Sequence, residues 1–502
     1  MKALLTALLA FLLVPLAARA EGWPTSTPEA QGMSSQELTG LVNFGIDNGF
    51  DSLLVMRHGT VVAEAYYAPF APRLRHRINS ATKAVIGSLI GIALKEGLIK
   101  SLDQPVLDFL PGRVSAKPDE RLKAVTLRHL LDMTSGLDWD EPLTNTIPAA
   151  LFEMERSRDW VQYVLDRGMA RDPGAAFDYN SGGPHLLSAV LSKVTGKSAE
   201  DYAKEKLFDP LGITDFLWRR DPQGVSTGGY GLYMLPGDMA KLGLLWLHDG
   251  VWQGKRLLPA GWTDAARQGR VDMPFPGLRY ANLFWSIPGE DAFMAVGFDR
   301  QLIVVLPKLD VVAAFTGARR YSNADGKPSA PEYRLSAVID RLKGATKSDA
   351  ALPEDATSVD ALAKRIRYVL EEARVNAADP APPIAAEVSG RIYRLQPNLL
   401  RLSSISFSFE DDAASYTYDV GGKRYGGPIG LDGFYGIGGR RLYGKSAAKG
   451  HWLDDRTFQF EMQTLGNDDA AIVPFVFDGK KISGRLETLG GFKVELSGEA
   501  QE

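Results

Sequence analysis

The spacing of apolar and polar positions divides the chain into a mixed first part and a last part that alternates with period two. Ser34-Ser35-Gln36-Glu37 has the form of a capping box opening a helix that runs to about Asn48, with Gly49 just past its end. Two strand-like runs follow, Leu53-Leu54-Val55-Met56 and Val61-Val62-Ala63-Glu64-Ala65, joined through His58-Gly59 as a hairpin. From 82 to about 96 nearly every residue is apolar and helix-forming, and Gly97 stands at the expected stop. A helix apolar on almost every face, with Gly87, Ser88 and Gly91 permitting close neighbours, belongs at the centre of a domain. Amphipathic helices are predicted over 122–134 and 184–194, the second with proline in its first turn and Gly196 at its end.

Strand patterns return at 293–296, 301–306 and 311–316, the last two joined by the turn-forming Pro307-Lys308-Leu309-Asp310. This meander is expected to join the first hairpin in one antiparallel sheet. Residues 345–386 shift to Ala, Asp, Pro and Ser around a helix predicted over 359–374, and read as a linker. Beyond 389 the segments 404–409, 415–420, 457–463 and 472–477 alternate between Gly and Asp turns, which implies a small antiparallel barrel or sandwich. The expected fold is α/β: an antiparallel sheet flanked by helices over 21–345, a linker with a helix over 346–386, and a small all-β domain over 387–502.

Composition narrows the function classes. A formal charge of -4 leaves no basic surplus to neutralise phosphates or an anionic membrane surface, so nucleic acid is not an expected partner. Lys2, the apolar run 3–17 broken only by Thr6 and Pro15, and Ala18-Arg19-Ala20 read as a secretory signal over 1–20. The rival reading is a retained anchor, but the run is short for a full span. A periplasmic or secreted protein without a membrane anchor is expected. The chain has no cysteine, which excludes a lipidated lipoprotein, a disulfide framework and a thiol nucleophile.

The candidate chemistry begins at Ser80-Ala81-Thr82-Lys83, at the start of the central apolar helix. Residues three apart share a helix face, so the hydroxyl and the amine can meet. Desolvation disfavours an ammonium, so a lysine buried there can take the serine proton. The helix N-terminus adds a backbone N–H for a developing oxyanion. Ser446-Ala447-Ala448-Lys449 has the same spacing and is read as a surface loop between strands. Gly224-Val225-Ser226-Thr227-Gly228 matches a nucleophile elbow in letters but lacks the strand before it and the helix after it.

A second element is Phe177-Asp178-Tyr179-Asn180-Ser181-Gly182-Gly183, which runs into a helix. The Tyr179 phenol can pass a proton through the same amine, and Asn180 or Ser181 can orient the lysine or a substrate carbonyl. The third is the strand Phe293-Met294-Ala295-Val296-Gly297, ending at Phe298. As an edge strand it would hold an extended substrate, with an N–H after Gly297 completing an oxyanion hole; as a core strand it would only pack. Six scattered histidines without ligand spacing give no metal site, and no phosphate loop is present. No cofactor is expected.

Together these residues resemble the serine β-lactamase and penicillin-binding protein superfamily, in particular its class C β-lactamase-like branch with esterases and 6-aminohexanoate-dimer hydrolases. The likeness spans about 53–316 and is strongest over 80–110, 125–137, the Tyr179 loop and 231–244. It implies a β-lactamase/transpeptidase-like sheet, with Ser80 as nucleophile, Lys83 as its base and Tyr179 as proton shuttle. The chain departs from the family in having Tyr179-Asn180-Ser181 where Y-x-N is common, and Ala295-Val296-Gly297 where a Lys-Thr-Gly or His-x-Gly supplies a cation. Without that cation a substrate carboxylate loses a charge-assisted contact, which favours esters or uncharged amides. A β-lactamase or D,D-peptidase, and a binding module that keeps the fold with the last domain as its partner surface, are the alternatives; oligomeric state stays open.

Overall fold

The computed structural model describes residues 22–143, 148–317, 335–371, 380–410, 413–441, 444–467, 471–487 and 493–501. The expected export signal, 1–20, lies outside them.

Among the described residues eight antiparallel strands form the main sheet, in the order Thr60–Tyr66, Phe50–Arg57, Val311–Gly317, Gln301–Leu306, Ala292–Gly297, Phe284–Ile287, Arg279–Ala281 and Val271–Asp272. The predicted hairpin and meander are neighbours in it, because Phe50–Arg57 pairs with Val311–Gly317. Helices cover both faces. Gly243 of the helix Pro236–Leu247 lies against Val312 and Ile303, where an added Cβ would come within 2.4 Å of Val312. Phe315, on the other face by strand alternation, stacks on Phe50, which in turn meets Phe44 of the helix Ser35–Asp47.

The apolar helix Thr82–Lys95 is buried at every position from Thr82 to Ala93. Its glycines are needed for close approach: a Cβ at Gly87 would sit 2.3 Å from the Asn282 carbonyl oxygen. The predicted helix over 122–134 is instead two short ones, Glu120–Lys123 and Leu127–Leu131. Thr126 breaks it by capping the second, its hydroxyl accepting the His129 N–H while the His129 ring accepts the Thr126 N–H. At Ser34 only half of the expected box forms. The Ser34 hydroxyl accepts the Glu37 N–H, but Glu37 turns to Lys347 at 3.2 Å.

The segment expected to be a linker is largely docked. Its helix, Ala356–Glu371, buries Leu362 and Val369, donates from Arg365 to Asn43 of the helix Ser35–Asp47, and accepts the Ala68 N–H on the Val369 carbonyl at 2.8 Å. The first domain therefore extends past 345 to Glu371; residues 372–374 of the predicted helix lie outside the described residues.

Among the described residues ten antiparallel strands, from Ile392–Leu395 to Lys493–Ala500, form the last domain. Gly430 closes them into a barrel-like domain, donating to Ala448 at 3.0 Å and accepting from Gly450 at 2.9 Å. Its interior is filled by Phe407 and the rings of Phe409, Phe458, Phe460, Phe475 and Phe477 around it. Ser446 is not in a surface loop: it lies 1% exposed in the strand Gly444–Trp452. Three residues on, Lys449 points to the other face of that strand, toward Glu461 at 3.8 Å and the Tyr435 ring.

Candidate active site

Ser80 sits in a single 3-10 turn, Asn79–Ala81, that feeds directly into the helix Thr82–Lys95. The turn is entered through Asn79, at φ 47, a left-handed conformation that asparagine tolerates better than most residues. One turn further, the Lys83 amine is 3.0 Å from the Ser80 hydroxyl, 2.9 Å from the Ser181 hydroxyl and 2.9 Å from the Gly229 carbonyl oxygen. With the side chain 1% exposed, burial lowers the ammonium pKa to about 8, against the raising effect of Glu141.

As an ammonium Lys83 donates to all three partners, and the same contacts fix its geometry once it has lost a proton. Two N–H groups have two acceptors that need them, the Gly229 carbonyl and the Ser181 oxygen, so the lone pair is left for the Ser80 hydroxyl. The Ser181 oxygen is free to accept because its own proton is engaged: the hydroxyl donates to Glu141 Oε1 at 2.7 Å, and the Ser181 N–H donates to Glu141 Oε2 at 2.7 Å. Trp139 Nε1 also donates to Oε2 at 2.7 Å and holds the carboxylate in place.

Tyr179 lies over the same amine, with Lys83 Nζ 4.6 Å from the ring centroid. Burial first, then the Glu141 charge, raises the Tyr179 pKa far above the usual phenol range, against the lowering effect of the neighbouring Ser80 hydroxyl. The phenol is therefore protonated at neutral pH, and Lys83 is the group able to accept a proton. Trp285 stands edge-on to the Tyr179 ring at 6.4 Å and Tyr280 edge-on to Trp285, so one wall is aromatic.

Of Asn180 and Ser181, which the sequence left as equals, the structure brings only Ser181 to the lysine. Asn180 turns away, accepting the Gly183 N–H at 2.6 Å and donating to the Asp178 carbonyl at 3.2 Å, which holds the loop shape. Gly297 packs directly on the nucleophile turn, where a Cβ would lie 2.2 Å from the Ile78 carbonyl oxygen. Asn79 Nδ2 donates to the Phe298 carbonyl at 3.0 Å and ties that peptide to the same turn. The strand Ala292–Gly297 is interior rather than at the sheet edge, yet its ladder with Phe284–Ile287 covers only Ala292 to Met294. Its last three residues run past that neighbour as a local free edge beside Ser80.

Sequence reasoning missed Asn79, Glu141 and Gly229. The Gly229 signal was partly visible as the glycines following the false elbow: a Cβ at Gly228 would fall 1.9 Å from the Pro184 carbonyl oxygen, and one at Gly229 would fall 2.7 Å from Ser181 Cβ. The elbow serine itself, Ser226, is fully buried and accepts the Glu200 N–H at 3.1 Å. Among the described residues no group of His, Asp and Glu is placed to hold a metal ion.

The Beta-lactamase family profile matches residues 29–338. The chain is 26% identical over 284 residues to the 6-aminohexanoate-dimer hydrolase of Paenarthrobacter ureafaciens, covering 52% of this chain and 71% of that protein. It is 29% identical over 248 residues to penicillin-binding protein 4 of Amycolatopsis lactamdurans, covering 43% of this chain and 60% of the relative. Among solved structures, a putative 6-aminohexanoate-dimer hydrolase from Bacillus anthracis shares the fold with a TM-score of 0.56 and 21% identity, over 66% of this chain and 89% of that one.

Proposed function

The chain belongs to the Beta-lactamase family, and from that premise we propose that it is a serine hydrolase cleaving carboxylic esters or uncharged amides through an acyl-enzyme on Ser80. The observation that carries this reading is the buried Lys83 Nζ, 2.9 Å from both the Ser181 hydroxyl and the Gly229 carbonyl and 3.0 Å from the Ser80 hydroxyl, so that loss of one proton turns its lone pair toward Ser80.

In the forward step the Ser80 O–H proton passes to Lys83 and the Ser80 oxygen bonds to the substrate carbonyl carbon, giving a tetrahedral oxyanion. The N–H groups of Ser80 and Phe298 are the donors assigned to that oxyanion, since Gly297 packs on the Ser80 turn and Asn79 ties the Phe298 carbonyl just beyond it to the same turn. The carbon to leaving-group bond then breaks as the Tyr179 phenol gives the departing oxygen or nitrogen its proton, and the Lys83 ammonium restores the phenol. Water attacks the ester on Ser80 by the same route in reverse, releasing acid and free serine.

Two features support a neutral substrate. Ala295 and Val296 stand where a cation would receive a carboxylate, and the Trp285 ring beside Tyr179 and the exposed Phe298 side chain after Gly297 add apolar surface near Ser80. Turnover of p-nitrophenyl acetate or butyrate against nitrocefin tests this: ester turnover lost in Ser80→Ala is expected, and rapid nitrocefin hydrolysis without ester hydrolysis would replace the reading by a β-lactamase or D,D-peptidase. Export to the periplasm or medium belongs to the same proposal, and the amino terminus of the exported protein should be Glu21.

A further inference from the structure

The strand that delivers the nucleophile is an edge strand, and its open side is occupied by the last domain. His76–Arg77 pairs on one side with Leu232–Met234, and Ile78 continues that ladder by donating to the Leu232 carbonyl at 2.9 Å. Successive N–H groups of a strand point to opposite sides, so Arg77 N–H faces away from that partner. It donates at 2.7 Å to the carbonyl of Gly466, in the turn that follows the barrel strand Thr457–Thr464.

That turn fits its position closely. Gly466 has φ 82, and a Cβ there would lie 1.9 Å from the Arg75 carbonyl oxygen, so no side chain is tolerated by either conformation or space. The next residue, Asn467, accepts the Tyr233 hydroxyl at 2.8 Å. Beside these polar contacts Leu465 and Ala447 of the barrel pack on Phe70 of the first domain, all three nearly fully buried, with Leu74 and Tyr435 against them. From Arg77 the chain runs through Ile78, whose carbonyl abuts Gly297, and Asn79, which holds Phe298, to Ser80. Only two residues, Ile78 and Asn79, separate the barrel contact at Arg77 from the nucleophile.

We propose that the C-terminal barrel is a built-in wall of the Ser80 site, its 464–467 turn acting as the rail that holds the strand leading to the nucleophile, with Gly466 and Asn467 as positioning residues. The proposal rests on Ser80 being the nucleophile and assigns the barrel a role that this reading leaves open. A turn that fixes the serine and oxyanion geometry affects the rate of covalent bond formation more than the affinity for a small probe.

The test uses the full chain and a fluorophosphonate probe, separating the maximal labelling rate from the half-saturating concentration, with hydrogen exchange at the Arg77 amide read in parallel. Gly466→Val is expected to lower the maximal rate by about tenfold or more, with the half-saturating concentration nearly unchanged and the Arg77 amide deprotected. Asn467→Ala and Tyr233→Phe, which introduce no clash, are each expected to lower it by about two- to threefold, and their double variant by no more than either alone. Those two decide the matter if Gly466→Val does not fold. Wild-type labelling rates in the folded variants would overturn the rail while leaving Ser80 as nucleophile. A wild-type protein that takes no label at Ser80 would overturn both.

Discussion

The same four-residue spacing of serine and lysine occurs twice in this chain with opposite outcomes. Ser80 and Lys83 lie on a helix, where three residues are nearly one turn, so hydroxyl and amine meet at 3.0 Å inside an apolar core. Ser446 and Lys449 lie on a strand, where three residues reverse the face, so the serine points in and the lysine goes to the Tyr435 ring, 4.6 Å away, and to Glu461. Spacing becomes chemistry only through the period of the element that carries it. Burial then adds the second requirement, since the Lys83 pKa falls to about 8 through loss of solvent.

Single substitutions can break this comparison. Ser80→Ala should abolish ester turnover and fluorophosphonate labelling, a loss of about four orders of magnitude or more, whereas Ser446→Ala should label at the wild-type rate. A labelled Ser80→Ala protein would move the nucleophile elsewhere. Lys83→Ala should lower kcat/KM by about a thousandfold while leaving the circular dichroism spectrum unchanged; Lys449→Ala should change it by less than about twofold. Equal losses at the two lysines would erase the distinction drawn between helix and strand.

Glu141→Gln sharpens the comparison, because the strand lysine faces Glu461 directly at 3.8 Å whereas Glu141 reaches Lys83 through the Ser181 hydroxyl. Removing the carboxylate takes away the charge that raises the Lys83 pKa. The midpoint of the pH-rate profile should therefore fall below that of the wild type, with kcat lower by about tenfold from the loosened Ser181. A midpoint that stays or rises would sever Glu141 from the amine. The smallest effect is expected at Asn180→Ala, which loses the bond to the Gly183 N–H and should cost about 1 kcal/mol of stability in urea unfolding without moving that midpoint.

The regularly patterned elements were legible. The central helix, the meander strand Gln301–Leu306 and the alternating barrel strands lie at or near their expected bounds, because burial on one or all faces writes itself into the hydrophobic period. Misreadings came where local hydrogen bonding or long-range docking decides. Thr126 broke a periodic helix by capping a new one, and Ala356–Glu371 reads as linker until its contacts with Asn43 and Ala68 are seen. Ser446 was misplaced because glycines near a strand look like loop signals, although here Gly438 is needed to clear the Ser446 hydroxyl across the ladder. In the site, Ser80, Lys83 and Tyr179 were visible as motif letters, while Asn79, Glu141 and the Gly229 carbonyl were not. Their roles come from backbone conformation and from contacts across 40 and 146 positions of chain, which no local pattern records.

The central claim is that Lys83 works as a neutral amine because the fold strips it of water. The most direct measurement is the rate of fluorophosphonate labelling of Ser80 as a function of pH. A base must be unprotonated to act, so the rate should rise with pH along a single ionisation whose midpoint is near the value of about 8 set by burial. A rate that is flat across that range, or that rises only near the 10.5 of a solvated lysine, would contradict it.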